Sequence, residues 1–146
     1  MTTHGPTGKT NDTTSYRGDD TQGLRVRRQV LGDAYVDESL KNADSFTAPL
    51  QDYLNTNCWG IPWVRPGLEL RMRSAITLAV LVAGGKTSEI RAHTRGALRN
   101  GLSPEEIQEI FLHLAVYVGV PSAVEAFRAA QPIVAEWVAA PRDSVS

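Results

Sequence analysis

From Leu24 onward, apolar residues recur three and four positions apart, and glycine or proline punctuates each run. Leu24, Val26, Val30 and Leu31 predict a first helix that stops at Gly32. Phe46, Leu50, Tyr53 and Leu54 predict a second over about 43–57. Gly60, Pro62 and Pro66 force a loop that carries Trp59, Trp63 and Arg65. A third helix, opening at Pro66 or Gly67 and running to Ala83, is apolar nearly all round in its later turns, which suits a position central to the fold or to a subunit interface. The fourth covers about 87–100 and ends at Gly101. The fifth has the clearest start, with Ser103 as N-cap, Pro104 in the first position and Glu106 closing a capping box. A sixth carries Val124, Phe127, Ile133, Val134 and Trp137, with Pro132 expected to kink or split it near Ala130. No run alternates with period two. The expected fold is all-α, with about six helices.

Residues 1–23 hold only Met1 and Tyr16 as sizeable apolar groups and read as a disordered arm. The helical domain is expected over 24–140 and a short tail over 141–146. The longest nearly apolar run, Ala75 to Ala83, is nine residues, far below the ~20 that span a bilayer. No secretory h-region is visible, so a cytoplasmic protein without membrane association is expected. A formal charge of −1 gives no pull toward nucleic acid. A single cysteine, Cys58, excludes an intrachain disulfide and a CxxC zinc or redox site. Of the 15 basic residues, 12 are Arg. That surplus suits the binding of small carboxylates, or reflects codon preference.

Three clusters can carry chemistry. In the loop Cys58–Gly67, Trp59 and Trp63 either wall an anion pocket beside Arg65 or plug the loop into the core. On the fourth helix Glu89 and His93 are four apart, so the carboxylate can orient the imidazole and favour its charged form; a surface pair or a core histidine gives the same spacing. Arg71 and Arg73 on the third helix point to different sides, so one of them at most reaches any given pocket, while His113 and Tyr117 on the fifth can meet a pocket rim or another subunit. Two metal-ligand types without a third make no metal site, and no P-loop, GxSxG, GxGxxG or HExxH is present.

The order of these pieces resembles the γ-carboxymuconolactone decarboxylases. The resemblance rests on Trp59-Gly-Ile-Pro-Trp63-Val-Arg65-Pro-Gly-Leu68, Arg71-Met-Arg73-Ser74, His93-Thr-Arg-Gly-Ala-Leu-Arg-Asn-Gly101, Ser103-Pro-Glu-Glu-Ile107 and Ala115-Val-Tyr-Val-Gly-Val-Pro121. It covers about residues 25–136 and implies a helical alkylhydroperoxidase D-like domain in homotrimers or homohexamers. The thiol motif C-x-x-C-x-x-x-H of the peroxidase branch would fall on Lys86, Glu89 and His93, so that chemistry is lost. What the resemblance implies instead is decarboxylation, without a cofactor, of 4-carboxymuconolactone to β-ketoadipate enol-lactone and CO₂. In that reading Arg65 or Arg73 anchors the retained carboxylate, Trp59 and Trp63 form apolar walls, and His93, held by Glu89, delivers the proton; Arg71 and His113 are further substrate-binding candidates.

Family members usually carry an acidic residue after the Trp-Gly; here Ile61 and Pro62 follow. That departure leaves room for a repurposed enzyme acting on a larger, more apolar biosynthetic acid. A non-catalytic oligomeric partner is the remaining alternative.

Overall fold

A computed structural model describes residues 20–140, so most of the expected arm and the whole expected tail lie outside the described residues. Seven α-helices, a π-helical segment and a 3-10 turn make up the described chain, with no strand among those residues. The order is α1 (Asp20–Leu31), α2 (Asp33–Lys41), α3 (Ala48–Tyr53), the π segment (Leu54–Trp59), the 3-10 turn (Pro62–Val64), α4 (Leu70–Ala83), α5 (Thr87–Arg99), α6 (Pro104–Val118) and α7 (Val120–Ala139).

Several expected boundaries move, each for a local reason. Helix α1 begins at Asp20, four residues ahead of Leu24, because buried Gly23 lets its backbone lie directly on that of Asn55 and Gly60. Glycine adds no apolar signal, so the pattern misses this turn. Gly32, at φ 91°, stops α1 as expected but also starts α2, whose single buried side chain is Val36. The second expected helix divides. Asp44 Oδ1 accepts hydrogen bonds from the backbone N–H groups of Phe46 and Thr47, forming a turn. Helix α3 follows and widens into the π segment. Phe46, Leu50 and Tyr53, whose spacing predicted the helix, are exposed. Helix α4 opens at Leu70 rather than at Pro66 or Gly67, with Glu69 in an extended conformation before it. Helix α7 runs unbroken through Pro132, so no split occurs; Ala126, Ala129, Ala130 and Ile133 hold that face against the core. The capping box is present as expected, with Ser103 Oγ accepting from the Glu106 N–H and Glu106 Oε2 from the Ser103 N–H.

Two hydrophobic cores result. Helices α4–α7 enclose one, around Leu78, Ile90, Ile107 and Phe111. The other holds Val30, Leu31, Val36, Trp59 and Ala92. Helix α5 serves both, with seven buried residues among its thirteen. Its Gly96 admits α1 so closely that an added Cβ would stand 2.8 Å from Val30 Cγ1. Gly32 lies against the Arg99 guanidinium, a second point at which the end of α1 meets α5.

A Gly23→Ala substitution tests this frame. Alanine is the better helix former by ~1 kcal/mol, yet its Cβ would collide with the Asn55 carbonyl oxygen. We expect a net loss of about 2 kcal/mol or more, read by denaturant unfolding; a neutral or stabilised variant would show that α1 does not rest on the π segment.

Candidate active site

The π segment, the 3-10 turn and α5 bring three rings together. Trp59 and Trp63 stack with centroids 4.7 Å apart at 28°. The imidazole of His93 lies parallel to Trp59, at 2° and 6.1 Å, and 6.4 Å from Trp63. His93 is 9% exposed, and its Nδ1 is buried without a hydrogen-bond partner. Burial lowers its pKa from 6.5 to about 4, so the neutral imidazole prevails at pH 7. Trp59 belongs to the core, as the plug reading expects, and its ring lies parallel to the imidazole.

The expected partner of His93 does other work. Glu89 is exposed and makes no hydrogen bond to the imidazole; its charge acts through space on Arg27 and Tyr35. Arg65 is exposed on the loop. Arg73 donates from Nη2 to the Arg65 carbonyl at 2.8 Å, tying the Trp loop to α4, while its Nε is buried without a partner. Arg71 is paired with Glu106 and donates to the Gly101 carbonyl, so it braces α4 against the start of α6. Its carboxylate partner lies below the usual range, held there first by the Ser103 N–H and then by the Arg71 guanidinium. His113 lies on the exposed side of α6, packed on Tyr117 at 5.1 Å. The structure thus joins Trp59, Trp63 and His93, places Arg73 behind the loop, and gives Arg71 and His113 other neighbours.

One residue absent from the sequence-based candidates stands out. Arg27 is 3% exposed and donates from Nη1 to Gln51 Oε1 at 2.9 Å and to Asn55 Oδ1 at 3.0 Å. Its Nε is buried and unpartnered, and no carboxylate forms an ion pair with it among the described residues. Desolvation is the main cause lowering its pKa. A signal was available: Gly23, Arg27, Val30 and Leu31 share one helical face, and an arginine within an apolar stripe is a buried arginine.

A groove of about 980 Å³ between α6 and α7, lined by Ile107, Phe111, Phe127 and Val134 among others, contains none of these residues. No group of three His, Cys, Asp or Glu among the described residues is arranged to hold a metal ion, and no described helix is long and apolar enough to cross a membrane.

The family model for carboxymuconolactone decarboxylases matches residues 48–132, from the start of α3 into α7. The chain belongs to the carboxymuconolactone decarboxylase family. It is 42% identical over 117 residues to the nitrosuccinic acid decarboxylase of Metarhizium robertsii, covering 80% of this chain and 82% of the relative. It is 37% identical over 131 residues to the 4-carboxymuconolactone decarboxylase of Acinetobacter baylyi, covering 90% and 95%. Both relatives are carboxy-lyases, and this member of the family is an enzyme of the same class.

The buried imidazole makes stability depend on pH. In the unfolded chain His93 takes a proton near pH 6.5, whereas the folded protein resists until about 4. Stability is therefore full above about pH 6.5 and falls as pH drops toward 4, by up to roughly 3 kcal/mol from this group. Urea unfolding of the wild type and His93→Gln at several pH values checks this; equal slopes across that window would mean that His93 is not held neutral.

Proposed function

We propose that this family member decarboxylates a small dicarboxylic acid whose departing carboxylate sits on a carbon joined to an electron sink, without an organic cofactor. The observation that carries the reading is the stack of Trp59, Trp63 and buried, neutral His93. A carboxylate against such walls loses hydration, while the CO₂ that replaces it is neutral and needs none, so a dry site favours cleavage. The C–C bond breaks, CO₂ departs, and the electron pair passes into the acceptor. In 4-carboxymuconolactone the pair runs through the alkene to the lactone carbonyl and gives a dienolate. The dienolate then takes one proton at carbon to give the enol-lactone.

In this scheme His93 delivers that proton. Burial alone keeps it neutral, but an arriving dianion supplies the opposite charge that favours imidazolium. His93 thus gains a proton as substrate binds and passes it to the carbanion after CO₂ leaves. Arg73 holds the Trp loop in place, and exposed Arg65 puts positive potential at the loop's outer side. Glu89 has no direct role on the imidazole in this scheme. The outward stripe Met72, Ile76 and Val80 on α4 suits the trimeric or hexameric assembly that the resemblance implies.

A second substrate has a specific observation in its favour. Ile61 and Pro62 stand where an acidic loop residue is usual in the family, and the relative sharing 42% identity is a nitrosuccinic acid decarboxylase. A nitro group accepts the electron pair as a nitronate, so a site without the loop carboxylate still suffices for that chemistry. The packed rings favour either small acid over a larger apolar substrate.

Both acids should be offered to the purified enzyme, with CO₂ and product followed by mass spectrometry. We expect turnover of one of them, and a loss of ~10²–10⁴-fold in kcat in His93→Gln. Failure of both acids would remove the small-dicarboxylate reading. An unchanged rate in the variant would remove His93 from proton transfer.

A further inference from the structure

Arg27 carries the inference furthest. A guanidinium has two forks that fit a carboxylate: one formed by Nη1 and Nη2, the other by Nε and Nη2. Both hydrogen bonds that Arg27 makes leave from Nη1, which lies on the Cδ side of the group. They engage that end and leave the Nε–Nη2 edge without a hydrogen-bond partner among the described residues. Nε on this edge is buried and has no partner.

The two acceptors are neutral amides, Gln51 and Asn55, so they orient the guanidinium without neutralising it. Asn55 is buried and Gln51 half-buried. The charged groups that act on Arg27 through space are Glu89, which favours its charge, and Arg28, which opposes it; Tyr35 acts with Glu89. Glu89 is exposed and forms no ion pair with Arg27, and Arg28 is held by Asp33 and Asp37. A buried charge with no counterion is expensive, and structural arginines at such burial ordinarily have a carboxylate. A side chain kept this way is prepared for an anion that arrives from outside.

Its position fits that purpose. Asn55 and Trp59 belong to the same π segment, and Arg27 feels the charge of Glu89, which lies one turn before His93 on α5. We propose that the Nε–Nη2 edge of Arg27 binds, side-on and bidentate, the carboxylate that the substrate retains, and that the enzyme therefore requires a dicarboxylic acid. This rests on the reading of the site as a decarboxylase centre and assigns its anchor to α1, a helix that precedes the residues matched by the family model. The departing carboxylate then lies toward the rings, with the anchored one fixing its distance from His93.

The test measures binding apart from turnover. Succinate, which has two carboxylates and no electron sink, is titrated against the full-length protein by calorimetry, with butyrate as the single-carboxylate control. We expect succinate to bind and butyrate to bind at least tenfold more weakly. Arg27→Met should weaken succinate by about 30-fold or more, and Arg27→Lys should recover part of the loss, since it restores the charge without the fork.

Because Arg27→Met removes a buried side chain, a second variant guards against a folding artefact. Gln51→Glu places a carboxylate beside an intact guanidinium, so it should raise Tm and abolish succinate binding together. A purely structural Arg27 predicts the higher Tm with succinate affinity unchanged, and that result would overturn the proposal. So would wild-type protein that shows no succinate binding at ~10 mM, an affinity already weaker than the millimolar range. Succinate binding that depends on Arg27, with neither candidate acid turned over, would instead leave the anchor in place and remove the proposed reaction.

Discussion

Helix α1 lies against two other backbones through glycine, meeting the π segment at Gly23 and α5 at Gly96. At neither contact is there room for a side chain: at Gly23 an added Cβ would meet the Asn55 and Gly60 backbone, and at Gly96 it would meet the Val30 side chain and carbonyl. Arg27 projects from α1 between the two contacts, which is why its guanidinium has left water and meets Gln51 and Asn55. The same geometry brings the π segment's Trp59 onto the face of His93. A larger separation would admit water, and both the neutral imidazole and the uncompensated guanidinium would lose what distinguishes them from surface groups.

These two groups have opposite relations to burial. Desolvation pushes a histidine toward its neutral form at pH 7, and here it does so without assistance from any neighbouring charge. An arginine cannot respond in that way, since its guanidinium keeps its proton throughout the physiological range. The folded protein therefore holds one group that has given up its charge and one that retains it unpaired. In the reaction proposed above, a dianionic acid would compensate both, by pairing with the guanidinium and by drawing a proton onto the imidazole.

The remaining candidate cations have supporting positions. Arg71 joins α4 to the start of α6 through Glu106, and Arg73 joins α4 to the Trp loop through the Arg65 carbonyl. Arg73 thereby steadies the Trp loop, and Arg71 braces α4 on the start of α6. The groove between α6 and α7 is a separate apolar feature, lined by core residues of the other hydrophobic cluster.

Sequence by itself determined the helical class, the capping box at Ser103 that starts α6, the end of α5 and the family, because each depends on local spacing or on motifs contiguous along the chain. It also marked Trp59, Trp63 and His93 as residues that can share a site. What it left open was decided by contacts between segments distant along the chain. Glycine has no side chain to enter a hydrophobic pattern, so the early start of α1 and its approach to Asn55 became visible only in three dimensions. Spacing placed Glu89 and His93 on one helical face, but burial depends on the elements packed against that face: His93 meets the tryptophans while Glu89 faces outward. Arg27 carried the same formal charge in the sequence as Arg25 and Arg28. Helical spacing sets Arg27 on the face of Val30 and Leu31, but only the tertiary structure shows what covers that face and leaves the guanidinium without water or counterion, because desolvation is a property of everything around a residue.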